Sequence, residues 1–152
     1  MILQIETKYS GIIEIEEKQI IHFSQGIPSF EDEQAFILLP FSEEPSPFYI
    51  LQSVHTPELA FVMANPFPFF PDYKVELSDG TIEQLAVEEK DDVAIFTMLT
   101  VKDPFEQTTT NLRGPVVINS RNQKAKQILL NDSEYDTRHR LLTKASAQAG
   151  EA

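Results

Sequence analysis

The side chains that most often carry catalysis are few in this sequence and poorly spaced for it. The three histidines are His22, His55 and His139, and no two stand at a separation that one helix or one metal-binding loop would bring to a shared ligand. A lone histidine on a strand or loop is more simply a hydrogen-bonded structural residue. There is no cysteine, which excludes a thiolate nucleophile, a thiolate metal site and a disulfide framework. Nothing matches a Gly-x-Ser-x-Gly elbow, a phosphate loop or a Gly-rich dinucleotide fingerprint. Carboxylates abound, 24 in all, but a glycosidase-like pair is defined by the separation of its carboxyl groups and not by their number. The densest run, Glu88-Glu89-Lys90-Asp91-Asp92, has neither the glycine nor the alternate-residue spacing of a calcium loop and reads as a solvated turn. The expectation is recognition without enzymatic activity, metal or cofactor; a two-carboxylate hydrolase is the competing class.

Charge indicates what would be recognised. The 24 acids face 12 bases, a formal charge of −12 over 152 residues. The imbalance lies in the body of the chain: residues 1–120 hold 20 acids and 6 bases, whereas residues 121–152 hold 4 acids and 6 bases. Such a field repels phosphates and attracts basic proteins, so direct nucleic-acid binding is not expected. Mutual repulsion favours a monomer when free. The beginning of the chain, Met1-Ile2-Leu3-Gln4-Ile5-Glu6, lacks the basic flank and apolar stretch of a signal peptide, and no window approaches the roughly 20 apolar residues of a membrane span. A cytoplasmic, membrane-free protein is expected.

Hydrophobic content of 41% with 24% charged residues belongs to a globular chain, long enough for a single core. We expect one domain over residues 1–144 and a disordered tail over 145–152. Short alternating or β-branched runs predict strands over Ile2–Thr7, Ile12–Glu16, Ile20–Phe23, Ala35–Leu39, Phe48–Ser53, Ala60–Met63 and Tyr73–Leu77. Val93–Val101, nine residues without charge, has the length of a central strand. Ser78 or Asp79 can cap one short helix over Gly80–Val87, with Ile82 and Leu85 on its apolar face. Val116–Asn119 and Lys124–Leu130 read as a hairpin, against a helix over 121–130 favoured by propensity. Residues Ser133–Leu142 would add a last turn or helix. The fold expected is mostly β, an antiparallel β-barrel-like or sandwich domain with one short helix.

Two loops carry the most information. Asn65-Pro66-Phe67-Pro68-Phe69-Phe70-Pro71 suits neither a helix nor a central strand; its rings either plug one end of the core or line a groove. Thr108 to Arg113 is polar and Pro115 then opens a strand, so the segment reads as a surface loop feeding a buried strand. Two readings of it stand: Asn111 caps a turn while Leu112 plugs the core, or Thr109, Asn111 and Arg113 face a partner. Phe30 is expected to anchor the Ser24–Glu31 loop.

The ordered set of these motifs resembles the FliW family of bacterial flagellar assembly factors. The resemblance rests on Phe23-Ser24-Gln25-Gly26-Ile27-Pro28-Ser29-Phe30-Glu31, Phe48–Ser53, Pro66–Tyr73, Val93–Val101, Thr108–Asn119 and Gln127–Leu130, and spans about residues 2–142. Ser29 departs from it, standing where a second glycine is expected; a serine fits if its φ stays negative. The resemblance implies a non-enzymatic cytoplasmic protein with two partners. One is CsrA, a basic dimeric RNA-binding repressor of flagellin translation; the other is flagellin, which would displace it. A dedicated flagellin chaperone without CsrA binding is the alternative. Acids clustered in predicted loops, Glu43, Glu44, Glu88, Glu89, Asp91 and Asp92, are the candidate contacts for a basic partner, together with Thr109, Asn111 and Arg113.

Overall fold

The computed structural model describes residues 2–130 and 135–142. The expected tail over 145–152 lies outside them, as do Ser133 and Glu134. The described elements are β1 (Ile2–Glu6), β2 (Ile12–Glu16), β3 (Ile21–Phe23), β4 (Ala35–Pro40), β5 (Phe48–Ser53), β6 (Ala60–Ala64), α1 (Asp79–Gln84), β7 (Val93–Thr100), β8 (Thr109–Thr110), β9 (Val116–Asn119), β10 (Lys124–Gln127) and β11 (His139–Arg140). Strands run in the spatial order β11-β8-β7-β6-β5-β4-β3-β10-β9, and β9 pairs back onto β7. That last pairing, Val93 opposite Asn119 through Phe96 opposite Val116, closes β7, β6, β5, β4, β3, β10 and β9 into a barrel. The single parallel contact in it is β3 with β10. The expected β-barrel-like fold with one short helix is the one observed. No helix among the described residues is long and apolar enough to cross a membrane.

Alternation along the strands separates three apolar layers. Phe23, Phe36, Leu51, Met63, Phe96, Val116 and Ile118 fill the barrel. The antiparallel β1–β2 hairpin lies outside it, with Ile5 and Ile15 packed on Ile20 and Ile37. Tyr73, Leu112 and Leu130 form the third layer, with Phe70, Val75, Ile95 and Ile128 against them. At roughly 25 cal/mol per Å² of buried apolar surface, such clusters dominate the favourable side of folding.

Several expectations change. Tyr73–Leu77 alternates like a strand but has no strand partner; Tyr73 and Val75 pack on the third layer while the Lys74 amide donates to the Tyr135 hydroxyl at 3.1 Å. Burial, and secondarily the nearby Tyr135, raises the Tyr73 hydroxyl pKa; its O–H donates to the Leu112 carbonyl. Helix α1 is capped by Ser78, whose Oγ accepts from the Thr81 amide at 3.1 Å, but its buried side is Thr81 and Leu85, with Ile82 exposed. Hairpin β9–β10 replaces the competing helix over 121–130. The proline-rich crossing leaves Phe67 exposed and Phe69 and Phe70 half-buried, outside the barrel. Phe30 meets Phe61 edge-on at 5.6 Å yet stays 41% exposed, so it covers the core without entering it.

The Thr108–Arg113 segment is not a surface loop. Thr108 and Thr110 are fully buried, because each hydroxyl finds a partner. Thr110 Oγ1 donates to Thr97 Oγ1 at 2.7 Å, and Thr108 Oγ1 accepts from the Lys102 amide at 3.0 Å. A paired hydroxyl can enter a core that an unpaired one cannot. Ser29 also differs from expectation: its φ is +74°, in the left-handed region.

Candidate recognition surfaces

The antiparallel order of β4, β5, β6 and β7 sets alternate loops at opposite ends of the barrel. The β4–β5 loop, carrying exposed Glu43 and Glu44, therefore shares one end with the turn that precedes β7, carrying Glu88, Glu89, Asp91 and Asp92. The β9–β10 turn joins them, since Asn119 stands opposite Val93. Two loops about 45 residues apart in sequence thus form one acidic end. The opposite end is acidic as well, through Glu31, Asp32, Glu33 and Glu58, but Glu33 is engaged internally, accepting from Ser53 Oγ at 2.7 Å and from Thr56.

The six candidate acids are not equivalent. Asp92 is a structural cap: its Oδ2 accepts from the amides of Glu88 and Glu89 at 3.0 Å each and from Arg121 Nε at 3.4 Å. Those amides, then the Arg121 guanidinium, hold its carboxyl below the usual range. Arg121 also lies 3.7 Å from Glu88 and donates to the Ala86 carbonyl at 2.8 Å. Asp92 and Arg121 thereby fix the turn that presents Glu89 and Asp91. Among the described residues Glu43, Glu44, Glu89 and Asp91 make no ion pair, so their field is directed at solvent. Beneath the turn, buried Asn119 donates to the Leu85 carbonyl at 2.8 Å, tying helix α1 to the barrel.

Thr109, Asn111 and Arg113 do not join this surface. Strand β8 pairs with the other end of β7, Thr109 opposite Thr100. Asn111 Oδ1 accepts from the Gly114 amide three residues on at 2.8 Å, capping the turn as in the structural reading, and Leu112 is fully buried. All three candidates are half-buried.

An aromatic group escaped the sequence reading. Phe48 follows the strand alternation away from the inward-packed Tyr49, and on the barrel's outer side it meets Phe41 at 6.2 Å, Phe69 at 5.8 Å and Phe105 at 6.0 Å. Phe41 is 54% and Phe105 40% exposed. The signal available in the sequence was a phenylalanine set in an otherwise polar run, Lys102-Asp103-Pro104-Phe105-Glu106-Gln107, where no core pattern calls for one.

An open groove of about 910 Å³ lies between residues 72–78 and 126–130. Its carboxylates, Asp72 and Glu76, are both exposed, so the groove shields neither from water as a carboxylate-pair hydrolase requires. The hydrolase class gains nothing from it. No group of three or more His, Cys, Asp or Glu among the described residues could hold a metal ion.

Comparison with known proteins gives one answer. The family model described as FliW protein matches residues 4–141. The flagellar assembly factor FliW of Geobacillus kaustophilus (strain HTA426) is 51% identical over 146 residues, covering 96% of this chain and 100% of that one. The protein of the same name from Geobacillus thermodenitrificans (strain NG80-2) is 49% identical over the same shares. A crystal structure of the flagellar assembly factor FliW superposes with a TM-score of 0.88 at 48% identity, covering 93% of this chain and 99% of that one.

Proposed function

The chain belongs to the FliW family of flagellar assembly factors, and from that premise we propose that it is a partner-switching regulator with no catalytic role. In this reading it binds CsrA, a basic RNA-binding repressor of flagellin translation, and antagonises it. It also binds cytoplasmic flagellin, which removes it from CsrA until export lowers the flagellin level. The observation that supports the CsrA half is the acidic end of the barrel, where Glu43, Glu44, Glu89 and Asp91 are exposed and unpaired among the described residues. A surface of that sign is attracted by the basic face that holds RNA, docks beside it and then opposes phosphate approach without competing for the RNA site itself. Asp92 is reassigned from contact to positioning. Thr109, Asn111 and Arg113 become supports of the β7–β8 pairing. The free protein is read as a cytoplasmic monomer that touches no nucleic acid or membrane, with residues 1–144 acting as one domain.

Titration with purified CsrA at rising salt tests this. Affinity should fall as the Debye length shortens from about 10 Å at 0.1 M, and Glu43→Gln/Glu44→Gln/Glu89→Gln/Asp91→Asn should flatten that dependence. Salt-insensitive binding would remove the acidic end from the argument. Capture of flagellin with no CsrA binding would leave the chaperone alternative.

A further inference from the structure

We propose that the outer aromatic row Phe41–Phe48–Phe105, with Phe69 at its side, is the docking site for an amphipathic helix that carries basic residues beside its apolar stripe. This rests on the reading that flagellin, whose assembly-competent ends are amphipathic helices, is one of the two partners, and it assigns that partner a surface.

Three observations support it. The first is exposure. Two phenylalanines that are 54% and 40% exposed sit on a shared third ring, forming a contiguous patch and not scattered surface residues, and contiguous apolar patches mark interaction sites. The second is dimension. Phe41 and Phe105 each lie about 6 Å from Phe48, so the outer rings are at most about 12 Å apart, within the reach of two turns of a helix at about 5.4 Å per turn. Anchors at i, i+3 or i+4, and i+7 of one helix face can meet rings within that reach. The third is charge. The rings are bordered in the chain by exposed Glu43 and Glu44 after Phe41 and by exposed Asp103 and Glu106 around Phe105, against the single base Lys102. An apolar strip between acidic borders complements a helix with an apolar stripe flanked by lysine or arginine. A wholly apolar or acidic segment would not fit it.

The test uses purified flagellin and the full chain. Flagellin binding is measured by calorimetry for the wild type, for Phe41→Ser/Phe105→Ser, for Phe41→Leu/Phe105→Leu and for Glu43→Gln/Glu44→Gln/Glu106→Gln, with melting temperatures alongside. The serine variant should lose about tenfold or more in affinity while still melting cooperatively above the assay temperature, because both rings are only half-covered in the free protein. The leucine variant, which keeps the apolar surface, should retain most of the binding. The glutamine variant should bind more weakly at low salt and converge with the wild type at high salt. Equal flagellin binding by wild type and serine variant overturns the assignment of this surface while the partner reading stands. No flagellin binding by the wild type overturns the flagellin half of that reading, and this inference with it. If the serine variant weakens but the glutamine variant does not, the basic flanks are wrong and an uncharged helix is the occupant.

Discussion

Replacing Ser29 by glycine should stabilise this protein, and the size of the gain can be worked out from one turn. The Phe30 amide donates to the Ile27 carbonyl at 2.7 Å, closing a turn with Pro28 and Ser29 at its centre. Proline cannot take a positive φ, which excludes the primed turns, and φ at Ser29 is +74°, which excludes type I. The turn is type II, whose third position favours glycine. A side chain held in the left-handed region costs about 1–2 kcal/mol, and glycine gives back about 0.5–1 kcal/mol through the larger entropy of its unfolded chain. The net expectation for Ser29→Gly is a gain of about 0.5–1 kcal/mol. Because a domain of this size shifts about 2–4 °C per kcal/mol, its melting temperature should rise by roughly 1–4 °C. Ser29 is exposed, so the substitution removes little packing. Ser29→Ala should lie within about 0.5 kcal/mol of wild type, since it keeps the Cβ, and Ser29→Val should melt lower. Calorimetric melting of the three variants decides the matter. A glycine variant that melts at or below the wild type would refute the turn assignment.

Two further outcomes follow from the same kind of geometry. At Gly26, with φ +67°, an added Cβ would lie 2.4 Å from the Glu31 carbonyl oxygen, whereas at Gly11, with φ +66°, it would meet nothing within 4 Å; urea unfolding should show Gly26→Ala losing about 2–5 kcal/mol from clash plus strain, and Gly11→Ala only about 1–2 kcal/mol. Asp92 has a depressed folded-state pKa, so its contribution is present above the unfolded value near 3.8 and is lost as pH falls through the lower folded value; the melting-temperature gap between wild type and Asp92→Asn should be widest near neutrality and close below that value, and a gap independent of pH would mean the carboxylate charge is not what holds the turn.

The elements most legible in the sequence are those whose pattern is sufficient by itself. Phe48–Ser53 and the uncharged run from Val93 are strands because β-branched and aromatic side chains suit a pleated, half-buried surface, and they take central places in the barrel. Tyr73–Leu77 has the same alternation without the result, because a strand needs a neighbouring backbone and this segment instead packs its side chains on the outer layer. Thr108 and Thr110 were misplaced for the complementary reason. Polarity predicts exposure only while the hydroxyl is unpaired, and the Thr97–Thr110 bond joins residues on two strands that no local window compares.

The candidate surfaces divide along the same line. Glu43 and Glu89 could be named from composition, but their convergence depends on antiparallel order, and the role of Asp92 depends on amides that only the folded turn aims at it. The aromatic row was invisible because Phe41, Phe48 and Phe105 come from three segments. Closure of β7 onto β9 strengthens the case that such side chains carry recognition. It pairs strands that would otherwise offer a free edge, so a partner has little barrel backbone to extend. It must instead engage the ends and outer side chains, and the unpaired acids and the contiguous phenylalanine row are exposed there to be engaged.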